Sequence, residues 1–173
     1  MKLSILITLL NEELVLAQTH AAISAQLEDM LGKDLSDYEI LYIDDGSNDK
    51  TFELIEGIAK GNDRVKYIRF SRNFGRESGI LAGFKYATGD AVMVMDGDLQ
   101  HPPYLIPLFL EAYKEGYDIV SGQRTRDGES FVGSSFARLF YFLSNRSMDV
   151  HLTDGKSELR LLSRKAINAF VSM

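Results

Sequence analysis

Two aspartates separated by one glycine, Asp96-Gly97-Asp98, directly follow the apolar run Val92-Met93-Val94-Met95. In an extended segment residues i and i+2 project to the same side, with Cα atoms roughly 6.5 Å apart, so the two carboxylates converge. Oxygen donors of this kind suit a hard divalent cation, Mg²⁺ or Mn²⁺, which shares its remaining positions with substrate phosphates. The bland alternative is a solvated turn that binds nothing. A second acidic pair, Asp44-Asp45-Gly46-Ser47, follows Ile40-Leu41-Tyr42-Ile43. Its carboxylates can accept from a base N–H or a ribose hydroxyl, or else close an Asx-turn ahead of a helix. Neither GxGxxG nor GxxxxGK[ST] occurs, which leaves a nucleotide held by carboxylates, its diphosphate neutralised by metal. A glycosidase also uses two carboxylates, but they flank a sugar about 5–9.5 Å apart, and a pair pointing together from one strand end suits metal better. Of the three histidines, His20 falls in a helical stripe and reads as structural, while His101 lies beside the acidic triplet.

Such residues need a scaffold that gathers strand ends. Apolar, β-rich runs recur at Leu3–Thr8, Glu39–Ile43, Val65–Phe70, Ala91–Met95 and Asp118–Ser121, and helical spacing fills the gaps. Leu14, Ala17, Ala21 and Ala25, with Leu27 beside them, form one predicted stripe; Phe52, Ile55 and Ala59 form a second. Ile80, Phe84 and Ala87 form a third, and Leu105, Leu108, Phe109 and Ala112 a fourth. Asn48 and Asp49 are placed to cap a helix, and Gly61 and Gly89 fall where helices should stop. Strand–helix alternation predicts an α/β fold, with right-handed crossovers and a mainly parallel sheet buried on both faces. In open sheets of this kind ligands bind beyond the carboxyl ends of the strands, and there polar residues crowd.

Composition narrows the class. The 173 residues are 45% hydrophobic and 25% charged, a length and balance that suit one folded domain and exclude a disordered or collagenous chain. Zero cysteines exclude a thiol nucleophile, a Cys-ligated metal and disulfides, and are compatible with a reducing cytoplasm. No apolar run approaches the roughly 20 residues of a membrane span. The net charge of −6 argues against a nucleic-acid partner. It is unevenly spread: residues 1–123 hold 11 Lys and Arg against 20 Asp and Glu, whereas residues 124–173 hold 8 against 5. The basic part suits an anionic partner or a plain solvated face. In the aromatic-rich stretch 131–152, Phe136, Leu139, Phe140 and Leu143 form a stripe that suits a core. Phe131, Tyr141 and Phe142, with Arg138 and Arg146, suit a membrane surface, a prenyl chain or a second subunit.

The motifs, taken in order, resemble a known family. Asn11-Glu12-Glu13, Asp44-Asp45-Gly46-Ser47, Ser71-Arg72-Asn73-Phe74-Gly75, Ala82-Gly83, Gly89-Asp90 and Met95-Asp96-Gly97-Asp98-Leu99-Gln100-His101-Pro102-Pro103 lead the series. Gly116–Arg124 and Leu159–Lys165 follow. Over essentially the whole chain the pattern is similar to family 2 inverting glycosyltransferases of the GT-A fold. Within them it best resembles the branch that loads a sugar onto polyprenyl phosphate, the dolichyl-phosphate mannose synthases and bactoprenol glucosyltransferases. The resemblance implies a Rossmann-like three-layer α/β/α sandwich, a single catalytic domain over residues 1–173, and a metal-dependent hexosyltransferase.

By position, the resemblance implies that Thr8, Leu10, Glu12 and Asp44 line the nucleoside and that Asp96 faces the ribose or diphosphate. The full expected donor set adds Asp45, Ser71, Asn73, Gly97 and Asp98. Metal ligation falls to Asp98 and Gln100, with Asp96 beside them. Arg124, Arg138 and Arg160 hold phosphate, and Asp98, Arg124 and Glu158 are the expected catalytic residues, Glu158 as candidate base. The implied partners are a UDP- or GDP-sugar, a polyprenyl phosphate, the cytosolic face of a membrane and a second copy of the chain. A saccharide or protein acceptor, or an inert nucleotide-binding domain, are the competing expectations. Three departures stand out. Leu10 occupies the family's tyrosine position and removes a ring that would stack on the base. Glu158-Leu159-Arg160 replaces the family's Asp-Phe-Arg. The chain ends at Met173, where many members continue into amphipathic and transmembrane helices, so the membrane-associated part is expected to be absent.

Overall fold

A computed structural model describes residues 1–98, 100–123 and 156–172, without the side chains of residues 123 and 156–158. The chain forms two units, Met1–Val120 with Glu158–Met173, and Ser121–Ser157. The second is described only where strands enter and leave it.

Strands β1 (Lys2–Leu9), β2 (Asp37–Asp44), β3 (Val65–Arg69), β4 (Ala91–Asp96), β5 (Ile119–Gln123) and β6 (Lys156–Ser163) form one sheet in the order β3-β2-β1-β4-β6-β5. β1 runs parallel to β2 and β4, and β2 parallel to β3, whereas β6 is antiparallel to β4. The helices are α1 (Leu16–Met30), α2 (Thr51–Ala59), α3 (Arg76–Tyr86), α4 (Leu105–Lys114) and α5 (Arg164–Val171).

The near-continuous aliphatic character of β1, β2 and β4 has its cause in burial on both faces. Leu3, Ile5, Ile7 and Leu9 pack with Leu16, Ile23 and Leu27 of α1, Ile55 of α2 and Ile106, Phe109 and Leu110 of α4. On the other face Leu6, Ile43, Val92 and Val94 meet Phe84 of α3 and Ile167 of α5. The three layers of the expected sandwich are therefore present. β3, at the sheet edge, exposes Lys66, Tyr67 and Arg69.

Two predicted stripes are corrected. α1 buries Leu16, Thr19, Ile23, Leu27 and Met30, whereas Leu14, Ala17, Ala21 and Ala25 are exposed. Alanine suits either side of a helix, so its spacing misled, and the larger side chains set the buried face. α4 buries Ile106, Phe109 and Leu110 and leaves Leu108 exposed. β6 was not among the predicted strands: its run Lys-Ser-Glu-Leu-Arg-Leu-Leu-Ser is broken by charge, and its place between β4 and β5 comes from long-range pairing.

Candidate active site

The register brings the ends of the parallel strands to one level. Thr8 lies opposite Asp96, Leu9 opposite Asp44, and Asp44 opposite Arg69. The loops that leave these ends are tied to one another. The Asn11 amide donates to Ser47 Oγ at 3.0 Å, Glu12 N to Thr51 Oγ1 at 2.8 Å and Glu13 N to Asp49 Oδ2 at 3.2 Å. In return Asn48 N donates to Asn11 Oδ1 at 2.9 Å and Lys50 N to Glu13 Oε2 at 2.9 Å. Asn11 adopts a φ of 57°, a left-handed conformation that asparagine tolerates better than most residues. Gly46, at φ 77°, meets the third loop so closely that a Cβ would sit 2.5 Å from the Arg72 carbonyl carbon. Asp45 then accepts from Phe74 N at 2.7 Å and Gly75 N at 3.0 Å, fixing the loop that enters α3.

These loops and strand ends enclose a cleft of about 270 Å³ lined by Thr8, Leu9, Leu10, Glu12, Asp45, Asn73, Gly75, Arg76, Asp96, Gly97 and Asp98. Eight of the ten expected donor-site residues therefore share one cavity wall: Thr8, Leu10, Glu12, Asp45, Asn73, Asp96, Gly97 and Asp98. Asp44 lies beneath it, fully buried, with Ser47 N donating to Oδ1 at 3.1 Å and Arg69 Nε 3.4 Å from Oδ2. At that distance Oδ2 has an ion-pair partner but no hydrogen bond. Ser71 is exposed on a neighbouring depression with Gly46, Ser47, Asn48, Arg69 and Phe70. Arg160 lies opposite Val94, at an apolar pocket with Phe84, Leu162 and Phe170. Arg124, Arg138 and the aromatic stretch 131–152 lie outside the described residues, as does the side chain of Glu158.

The acidic triplet is held from three sides. The Thr19 hydroxyl on α1 donates to the Gly97 carbonyl at 2.7 Å. Gln100 donates to Asp98 through its backbone amide, 3.0 Å from Oδ1, and through Nε2, 2.5 Å from Oδ2. Arg76, the first residue of α3, places Nη2 2.5 Å from Asp96 Oδ1, and His101 Nδ1 lies 3.3 Å from Asp96 Oδ2. His101 is buried, and its Nδ1 also lies 3.4 Å from the Asp96 amide, so its tautomer decides which contact carries the proton. Burial, then the charges of Asp98 and Asp49, holds the Glu12 carboxyl above its ordinary value. Among the described lining residues four are carboxylates and one, Arg76, is a cation. A hard cation or a polyhydroxylated ligand suits that balance.

Arg76 and Thr19 escaped the sequence reading. Arg76 meets Asp96 across 20 positions, a pairing that spacing does not reveal, although the glycine-led entry to α3 beside three converging strand ends is a usable signal. A larger depression of about 470 Å³ opens at the opposite ends of the strands. Its cations are already engaged: Lys165 with Asp118 at 2.9 Å, Lys114 with Asp34 at 2.6 Å, and Arg164 with the carbonyls of Ala87 and Gly89.

The six-stranded, mostly parallel sheet between helix layers has the GT-A fold. The chain belongs to glycosyl transferase family 2, which it matches over residues 4–170. It is 52% identical over 137 residues to CsbB of Bacillus subtilis, a protein named as a glycosyltransferase, covering 79% of this chain and 42% of that one. It is 32% identical over 168 residues to the prophage bactoprenol glucosyl transferase homolog of Escherichia coli K12, covering 96% and 54%. The chain thus spans about half the length of the curated relatives it matches. In fold it is similar to the mannosyltransferase PcManGT from Pyrobaculum calidifontis, solved with GDP-Man and Mn²⁺, at a TM-score of 0.65 and 18% identity, covering 97% of this chain and 46% of that one.

Proposed function

We propose that this domain transfers a hexose from a nucleotide-diphosphate sugar to polyprenyl phosphate, with inversion, at the cytosolic face of a membrane. The observation that carries the reading is the convergence of Glu12, Asp96 and Asp98 with Arg76 in one strand-end cleft. The bactoprenol glucosyl transferase homolog supports the acceptor class, and the mannosyltransferase with GDP-Man and Mn²⁺ supports the donor class.

Among the described residues no group of three or more His, Asp or Glu side chains gathers around one point, so a divalent cation would take few protein ligands here and share the rest with the donor phosphates. The carboxylates of Glu12, Asp96 and Asp98 on the cleft wall offer oxygen donors of the kind such an ion prefers. Asp98 and Gln100 are the residues that would hold it. When bound, such an ion stabilises the negative charge of the departing diphosphate as a Lewis acid. Thr8, Leu10 and Glu12 line the nucleoside side of the cleft, with Asp44 beneath, and Asp45 keeps the loop of Asn73 in place.

In the reaction the anomeric carbon–oxygen bond to the diphosphate breaks as an acceptor phosphate oxygen bonds to the opposite face of the sugar. The products are glycosyl phospholipid and nucleoside diphosphate. That oxygen is already anionic near neutral pH, so no strong base is required, and the residues' task is orientation. Arg124, Arg138 and Arg160 are assigned to the phosphates through charge-assisted contacts. Glu158 would serve as base for an acceptor that presents a hydroxyl. The test is incubation with radiolabelled UDP- and GDP-sugars and polyprenyl phosphate: label in the lipid phase supports the reading, and label in a glycan alone overturns the acceptor.

A further inference from the structure

We propose that the apolar pocket between α3, β4, β6 and α5 seats the first isoprene unit of the acceptor, with Arg160 at its rim holding the attached phosphate. The inference rests on the polyprenyl-phosphate acceptor proposed above and gives it a seat.

The pocket holds about 80 Å³ and is walled by Ile80 and Phe84 of α3, Val94 of β4, Leu162 of β6 and Phe170 of α5. A water takes up about 30 Å³ in the liquid, so the space admits a group of only a few heavy atoms. Walls of this kind give a water few partners, and an apolar group fits them better. Phe84, Val94 and Leu162 are buried, and Phe170 meets Phe84 edge to face with ring centroids 5.9 Å apart. Phe170 is nevertheless 56% exposed, which leaves a large apolar surface at the rim for a ligand to cover.

The rim also carries two charges. Arg160 and Glu77 are both exposed, and among the described residues neither side chain has an ion-pair or hydrogen-bond partner. The other described arginines are engaged: Arg64 with Asp37, Arg69 with Asp44, Arg72 over the Phe74 ring, Arg76 with Asp96, and Arg164 with backbone carbonyls. A free guanidinium beside an apolar slot matches an amphiphile with an anionic head. Glu77, in the first turn of α3, opposes a second negative group there, which suits a monophosphate better than a diphosphate.

The slot adjoins the donor cleft. Arg76 and Asp96 line the cleft, while Glu77, next on α3, and Val94, two residues earlier on β4, line the slot. Val94 and Asp96 project to the same side of β4, with Cα atoms roughly 6.5 Å apart. Arg160 pairs with Val94 in the antiparallel register, so it stands one strand step from the carboxylate that borders the cleft. A phosphate on Arg160 therefore lies alongside the donor, and the chain beyond the first isoprene unit leaves over Phe170.

The probe is geranyl phosphate, a water-soluble prenyl phosphate, titrated against inorganic phosphate and followed by NMR at the Arg160 Nε–H and at labelled methyl groups. The chain should bind geranyl phosphate about tenfold tighter than inorganic phosphate. The methyls of Ile80, Val94 and Leu162 should shift, and those of Ile5 and Ile23 on the opposite face of the sheet should not. Phe170→Ala should erase the preference for the prenyl compound, and Phe170→Leu should restore part of it. Loss of general stability would not alter a ratio of two ligands. Arg160→Gln should weaken geranyl phosphate binding severalfold at the pocket methyls, and Glu77→Gln should strengthen it. Geranyl phosphate that does not bind, that leaves the pocket methyls unmoved, or that keeps its full preference in Phe170→Ala overturns the inference; label still passing to polyprenyl phosphate then leaves the acceptor reading standing. Label passing to a glycan alone, with the pocket methyls still shifting, overturns the acceptor reading instead.

Discussion

The hydroxyl of Thr19, in the second turn of α1, donates to the carbonyl of Gly97 at 2.7 Å. A helix packed on the face of the sheet therefore holds the loop between the two aspartates. Both partners are buried, and a Cβ on Gly97 would lie 2.3 Å from Leu9 Cδ2, so a larger residue there would have to displace the Leu9 side chain.

Thr19→Val keeps the shape and deletes the donor. Leaving the Gly97 carbonyl unpaired should cost about 1–3 kcal/mol. Differential scanning calorimetry should show Tm lower by roughly 2–12 °C, together with weaker Mn²⁺ binding. An unchanged Mn²⁺ affinity would show that the loop does not depend on α1.

The loop before α3 depends on Asp45, whose oxygens accept from Phe74 N and Gly75 N. Asp45→Ala should accelerate hydrogen exchange at those two amides and weaken nucleotide binding, with little change at β1 or β4. Protection that persists at both amides would contradict this role.

Glycines in α2 and α3 should respond oppositely to alanine. A Cβ at Gly57 meets nothing within 4 Å, so Gly57→Ala should stabilise by about 0.4–1 kcal/mol. Gly83→Ala would drive its Cβ into Leu6 and should destabilise by about 1–3 kcal/mol. Denaturant midpoints that move in the same direction would refute the packing argument.

Far from the cleft, buried Glu39 accepts from Ser4 Oγ at 2.6 Å, Lys66 Nζ at 2.7 Å, Thr88 N at 2.6 Å and Thr88 Oγ1 at 2.9 Å. Burial alone would raise its pKa, but the hydrogen bonds from Lys66, Ser4 and Thr88 outweigh it and lower the value to about 2. The folded-state value is depressed, so the stabilisation is complete above the ordinary value of 4.5 and is lost as pH falls toward 2. The contribution is on the order of 3 kcal/mol at neutral pH. Glu39→Gln should lower stability at pH 7 and flatten the acid limb of the stability curve between pH 4.5 and 2. An acid limb identical to wild type would count against the network.

Much of this architecture could be read from the chain because its strands are unbroken aliphatic runs that end in acidic turns. The strand-end position of the site residues was legible with them, whereas the register that sets Thr8 beside Asp96 and Leu9 beside Asp44 belongs to the folded sheet. What stayed hidden depends on distance in sequence. β6 has charged residues among its leucines and gains its place by pairing with β4 and β5. The buried face of α1 includes Thr19, a polar residue that apolar periodicity passes over. Arg76 looks like an ordinary helix-surface cation until α3 is laid against β1. The motif Asn11-Glu12-Glu13 also changes meaning, since its amides and side chains mostly tie the first loop to the second.

The most direct test of the donor site is a thermal-shift series with UDP and GDP, in Mn²⁺ and in EDTA, on the wild-type chain and on Asp98→Asn. For at least one nucleotide, Mn²⁺ should enlarge the rise in Tm, and Asp98→Asn should erase that enlargement while keeping the unliganded Tm. An Mn²⁺-dependent shift as large in Asp98→Asn as in wild type would contradict the account.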